Sequence, residues 1–267
     1  SNNYTPETFK ALSAGELASI REHDLDIISI PYIGLGIFVL VILIIIIFTK
    51  MPKTVQEEKM SVSESFQKLW VNKNYKFGVV AQAFYVGAQI LCWTFMYQYV
   101  DNINHTFGLN ITATNYNIGA MILFLTGRWI GTAMMKTINP SKMLIYFGVG
   151  GMLCAAGAIL LQGIPGLISL ISISIFMSIM FPTIYGIALK DMGDEAKIGS
   201  SGLVMAIVGG ALMPLLQASV LDWGGPGFSD LKIFGFIPEV NFSFILPLLC
   251  LAVVTLYGFS SLKHSKQ

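Results

Sequence analysis

The run Ile37-Phe-Val-Leu-Val-Ile-Leu-Ile-Ile-Ile-Ile-Phe48 contains no polar side chain. Apolar on every face, it reads as a helix turned toward lipid with no part in a cavity. It closes an apolar segment, 27–48, long enough for a transmembrane helix, which takes about 20 apolar residues. Six further apolar segments follow: 75–100, 113–136, 142–161, 166–189, 198–221 and 240–260. Each runs about 20 to 26 residues, enough to cross a bilayer with some tilt. Backbone groups in lipid must pair within their own segment, so helices are expected. The segments do not alternate polar with apolar residues, which excludes a membrane β-barrel. The expected fold class is an all-α membrane protein with seven transmembrane helices.

Composition agrees. Of 267 residues, 54% are hydrophobic and 12% charged, where a soluble domain has about 25% charged residues. A disordered chain, a basic nucleic-acid binder and an ordinary cytosolic enzyme are excluded on this ground. Cys92, Cys154 and Cys250 lie in apolar runs and are expected to pack as small apolar residues. No signal peptide is visible, and the chain starts Ser1-Asn2-Asn3, so the native start is read as absent or processed. Ser13 to Glu16 has the pattern of a capping box, which predicts a short surface helix or two before the first span.

The few charges fix an orientation. Basic and non-basic loops alternate along the chain, with 12 Lys on one side and Lys10, Arg21 and Lys232 on the other. The basic side is expected to be cytoplasmic. The chain then divides into an extracytoplasmic segment 1–26, a span 27–48, a cytoplasmic linker 49–74, a six-helix domain 75–260 and a cytoplasmic tail 261–267. The expected location is a plasma membrane, in a bacterium the inner membrane, with the N-terminal segment outside and the C-terminus inside.

Polar groups at mid-span and helices interrupted by Gly or Pro mark a transport path. In Gly78-Val-Val-Ala-Gln82-Ala-Phe-Tyr85-Val-Gly-Ala-Gln89-Ile-Leu-Cys-Trp93, the residues Gln82, Gln89 and Trp93 fall on one helical stripe with Tyr85 beside it. Amides that bind hydroxyls and rings that pack on C–H faces suit a sugar. The same residues also suit interhelical hydrogen bonds with an aromatic anchor. Asn117 is read either as a cap or as a cavity residue. Arg128, costly in lipid unless it faces water or a partner, is assigned a gating or structural role. Pro182, inside Phe181-Pro182-Thr183-Ile-Tyr185-Gly186, should kink or loosen its helix and turn Thr183, Tyr185 and Gly186 to a cavity. Gly210 and Pro214 are placed with the gating or structural residues. The pairs Gly127-xxx-Gly131, Gly151-xxx-Ala155 and Ala206-xxx-Gly210 predict close helix packing. No Asp, Glu or His is placed inside a span, so no proton relay is visible. Asn104-His-Thr106 and Asn110-Ile-Thr112 match the glycosylation pattern. No metal, cofactor or enzyme motif appears.

The segment Gln82–Trp93 resembles the seventh helix of the fucose:proton symporter family of the major facilitator superfamily. Thr126-Gly-Arg128-Trp-Ile-Gly131, Phe176-Met-Ser-Ile-Met-Phe181-Pro182-Thr183-Ile-Tyr185, and Gly199-Ser-Ser-Gly202 with Gly209-Gly210 resemble later helices in the same order. The resemblance implies helix six plus the C-terminal six-helix half of a twelve-helix carrier, built as 3+3 inverted repeats. It implies sugar import with a proton by alternating access, for fucose, glucose or galactose. It also implies a missing N-terminal half that carries the proton-handling carboxylates. The implied partners are a sugar, a proton, that half and the lipid bilayer, with no nucleic acid and no cofactor. The site expected to line the cavity is Gln82, Tyr85, Gln89, Trp93, Asn117, Phe181 and Tyr185, with Phe181 supplying a ring and no hydroxyl. A seven-helix receptor or scaffold that transports nothing is the alternative, and an intramembrane enzyme is a weaker third.

Overall fold

In the computed structural model, the structure describes residues 14–49, 69–224 and 231–264. The basic linker residues 50–68, Ser13 of the capping box, Lys10 and Lys266 lie outside them. The chain divides into two units, residues 1–59 and 60–267.

In the first unit, α1 is a single helix, Ala14–Phe48, with Pro31 inside it. The separate surface helices expected before the first span are absent among the described residues, because helix runs unbroken from Ala14 into the apolar segment. At 35 residues it is about 52 Å long. The apolar stretch Ser29–Ile45 falls within it.

Among the described residues, the second unit has six membrane-length segments in two groups of three. The first group holds α2 (Lys73–Thr94) and α3 (Met96–Phe107), then α4 (Ala113–Met134), then α5 (Pro140–Leu160). The second holds α6 (Gly163–Met177) and α7 (Met180–Ala188), then α8 (Ala196–Met205) and α9 (Gly209–Leu221), then α10 (Glu239–Ser243) and α11 (Ile245–His264). A two-residue ribbon, β1 (Lys232–Ile233) against β2 (Ile237–Pro238), leads into α10. Five of these six segments are long and apolar enough to cross a membrane. The sixth, α4, has 22 residues, but Asn115, Asn117 and Arg128 lower its hydropathy. The chain is a multi-pass membrane protein.

The packing repeats between the groups. α5 packs on both α6 and α11, and α11 on both α5 and α2. α4 packs on α6, and α9 on α2. Exchanging first for first, second for second and third for third leaves this pattern unchanged. In each group the first segment is broken: between α2 and α3 at Phe95, and between α6 and α7 at Ser178 and Ile179.

The glycine pairs make the close approaches. A Cβ at Gly127 would lie 2.6 Å from the Ile175 carbonyl oxygen, so α4 rests directly on the end of α6. A Cβ at Gly209 would collide with the backbone of Ala83, so α9 rests on α2. Backbones can meet this closely only where no side chain intervenes. The core includes Tyr85, Leu91, Met96, Tyr99, Met143 and Tyr257, all fully buried. Cys92 and Cys250 are buried in it and Cys154 is half-buried, all as free thiols.

Candidate functional site

Two clusters form around the breaks in the first segment of each group. At the first, the Asn117 Nδ2 donates to the Trp93 carbonyl at 3.0 Å, bridging α4 to the last turn of α2. The Trp93 Nε1 donates to Ser174 Oγ of α6 at 3.2 Å, and its ring meets Phe124 edge-on at 5.3 Å. The Arg128 guanidinium lies 5.6 Å above the Phe124 ring. At the second break, the Tyr85 hydroxyl donates to the Met177 carbonyl at 3.0 Å. Met177 ends α6, where last-turn carbonyls lack helical partners. Tyr85 meets Phe181 edge-on at 6.1 Å, and Phe181 stacks on Tyr185 at 6.4 Å with planes 13° apart. Each break is therefore held by a polar side chain from another segment, and Trp93 ties the two broken segments together.

The sequence-designated residues split by burial. Gln89, Trp93, Asn117, Phe181 and Tyr185 are half-buried, with part of each side chain open. Arg128, Pro182 and Gly186 are exposed. Gln82 and Tyr85 are not on the open face: they are 0% and 1% exposed. The stripe that joins Gln82 to Gln89 and Trp93 on a helical wheel therefore descends from an open face into the bundle. Phe124 and Ser174 belong to the cluster and were not singled out. Phe124 reads as one more apolar residue in a span, and Ser174 as one of several serines on α6.

Gly210 packs on Val86 and Ile90, and Pro214 is half-buried within α9. Pro182 and Gly186 line a cavity of about 500 Å³ at the end of α7, with Asn74, Ser141, Thr183 and Lys190. Glu239 stands at the start of α10, an end position, yet it is 2% exposed. Its carboxylate accepts the Gly224 N–H at 2.8 Å. Gly224 and Leu231, whose carbonyl accepts the Glu239 N–H at 3.1 Å, both bond Glu239, a closeness in space that hydropathy along the chain does not register. Asn104 is a loop clamp, since its amide both donates to and accepts from the Ile111 backbone at 2.9 and 3.0 Å. No group of three or more His, Cys, Asp or Glu able to hold a metal occurs among the described residues.

No family model matches the chain. Curated relatives do. An L-fucose-proton symporter of Haemophilus influenzae is 47% identical over 97% of this chain and 58% of its own length. The Escherichia coli L-fucose-proton symporter is 32% identical over 91% of the chain and 54% of its own length. A putative glucose/galactose transporter of Helicobacter pylori is 29% identical over 91% and 56%. The crystal structure of the E. coli fucose:proton symporter FucP superposes with a TM-score of 0.74 at 28% identity, over 97% of this chain and 61% of that one. A crystal structure of the major facilitator superfamily transporter FucP in the outward conformation gives 0.72 at 26% identity, over 97% and 60%. The fold is that of a partial carrier of the major facilitator superfamily. In sequence the chain is similar to L-fucose-proton symporters, and it spans somewhat more than half the length of the relatives it matches.

Proposed function

We propose that this chain is the C-terminal part of a sugar carrier that works by alternating access with a proton as coupling ion. α1 corresponds to helix six and the second unit to helices seven to twelve, as two inverted triplets. The carrying observation is the row of half-buried amide and aromatic side chains, Gln89, Trp93, Phe181 and Tyr185, beside two helix breaks in equivalent positions of the two triplets. Broken helices at matching positions are where transporters of repeat construction bind substrate. The Gln89 amide has no partner among the described residues and can donate to and accept from a hydroxyl. The Trp93, Phe181 and Tyr185 rings offer surfaces for the C–H faces of a sugar. Names of relatives that include fucose-proton symporters and glucose/galactose transporters support the substrate class.

Gln82 and Tyr85 reach a substrate only if the segments around them separate, so in the arrangement observed they serve as interior support. Arg128, exposed within a span, faces water or the missing N-terminal half and gates by that contact. Pro182 and Gly186 loosen α7, while Gly210 and Pro214 shape the packing of α9 on α2. Segment 1–26 lies outside, 49–74 links the halves in the cytoplasm, 75–260 is the carrier domain, and 261–267 is a cytoplasmic tail in a bacterial inner membrane. The uneven placement of Lys supports this orientation.

The test is uptake of labelled fucose, glucose and galactose by the full-length carrier bearing Gln89→Ala or Trp93→Ala. Both variants should lose uptake of the transported sugar. Undiminished uptake in both would overturn the site. Sugar-dependent alkalinisation of the medium should accompany uptake, and its absence under a pH gradient would argue for a uniporter.

A further inference from the structure

Gln82 is 0% exposed, and neither its Nε2 nor its Oε1 has a hydrogen-bond partner. Tyr257, in α11 on the opposite side of the same packing contact, is also 0% exposed, and its hydroxyl has none either. Folded proteins pair nearly all buried polar atoms, so unpaired heads need an explanation.

Helix geometry places the two heads on the same face of α2, about one turn apart. Gly78 lies one turn before Gln82 on α2, and long side chains on a helix lean back over the turn that precedes them. The Tyr257 hydroxyl oxygen sits 2.9 Å from where a Gly78 Cβ would be, and the Ala188 Cβ sits 2.6 Å from it. Gly78 thus lets α11 bring its phenol against α2 one turn before Gln82, with Ala188 packed on the same glycine. The Phe77 ring meets Tyr257 edge-on at 5.3 Å and fixes the phenol's direction. The amide and the hydroxyl do not bond each other. Water can bridge buried polar groups that lie beyond direct bonding distance of each other.

We propose that Gln82 and Tyr257 form one buried water-binding site between α2 and α11. The amide supplies two donors and an acceptor, and the phenol one of each. A water that donates to Gln82 Oε1 and accepts from the Tyr257 hydroxyl pairs one atom of each head and leaves Nε2 for a second water, and buried waters typically make two to four such bonds. The site lies one turn from Tyr85 along α2, so it hydrates the interior directly beneath the aromatic series Tyr85, Phe181 and Tyr185. Tyr257 becomes a positioning residue for Gln82.

The experiment uses the purified full-length carrier. A structure resolving ordered water should show density within hydrogen-bond distance of both Gln82 and Tyr257. A direct Gln82–Tyr257 bond, or an empty gap, would overturn the proposal. In thermal unfolding, Gln82→Leu and Tyr257→Phe should each lower Tm. The double variant should fall by clearly less than the sum, because either change removes the same bridge. Additive shifts would mean the two groups are independent and would refute a shared site. If Gln82→Leu does not fold, Gln82→Met enters the cycle in its place, and the water density is read on the unaltered protein in any case.

Discussion

Replacing Tyr85 by Phe separates two roles that one residue could hold. The sequence designates it as a sugar contact, whereas the structure uses its hydroxyl to hold the Met177 carbonyl at the end of α6. Phenylalanine keeps the ring, so the edge contact with Phe181 at 6.1 Å and the filled core remain. Only the 3.0 Å hydrogen bond is removed, at a side chain 1% exposed. The carbonyl is left without that donor and without water to replace it. Leaving a buried acceptor unpaired costs about 1–3 kcal/mol. Each kcal/mol corresponds to about 2–4 °C in Tm for 150–250 residues, and to less in a longer protein such as the full-length carrier. The Tm of the full-length carrier should therefore fall by a few degrees. Sugar affinity, measured on the same sample at a temperature where the variant is folded, should be unchanged. The reasoning is refuted if Tm is unchanged while affinity drops about tenfold, a loss of about 1.4 kcal/mol. That outcome would put the hydroxyl on the sugar and not on the helix break.

Other substitutions have outcomes set by their surroundings. Gly209→Val forces a side chain into the Ala83 backbone, so it should destabilise by at least the ~1–3 kcal/mol typical of overpacking, whereas Gly186→Ala, with nothing within 4 Å of a new Cβ, should leave Tm unchanged or slightly raised. Asn241→Ala removes bonds to the Tyr99 hydroxyl at 2.9 Å and to the Ala158 carbonyl at 3.0 Å; unfolding should show a loss of about 1–3 kcal/mol. Cys92 and Cys250, both buried, should resist maleimide in the folded carrier and react fully once it is denatured.

The membrane class and five of the six segments of the second unit were legible from hydropathy, while α4 falls below the others because of Asn115, Asn117 and Arg128. A lipid span must be apolar for a fixed length, and that requirement is written locally. The glycine pairs were legible as packing faces for the same reason: a missing side chain is a property of one position. Gln89 and Trp93 were legible as an amide and an aromatic on one stripe, because helical periodicity needs no partner to be read.

Other features depend on which segment lies next to which. Gln82 shares the stripe with Gln89, yet it is fully buried, one turn from Gly78, where Tyr257 of α11 and Ala188 of α7 pack against α2. Tyr85 and Asn117 look like site residues by type, but their hydrogen bonds go to the carbonyls of Met177 and Trp93 on other segments. Glu239 reads as a residue at a span end and is nonetheless buried beside Gly224. By itself the sequence determined that the chain lives in lipid, how many apolar segments it has and which residue types could meet a sugar. The tertiary structure decided which polar groups stay open and which are used internally. A polar atom's partner is chosen by proximity in space, and in a bundle of long helices the nearest donor or acceptor comes from tens of residues away.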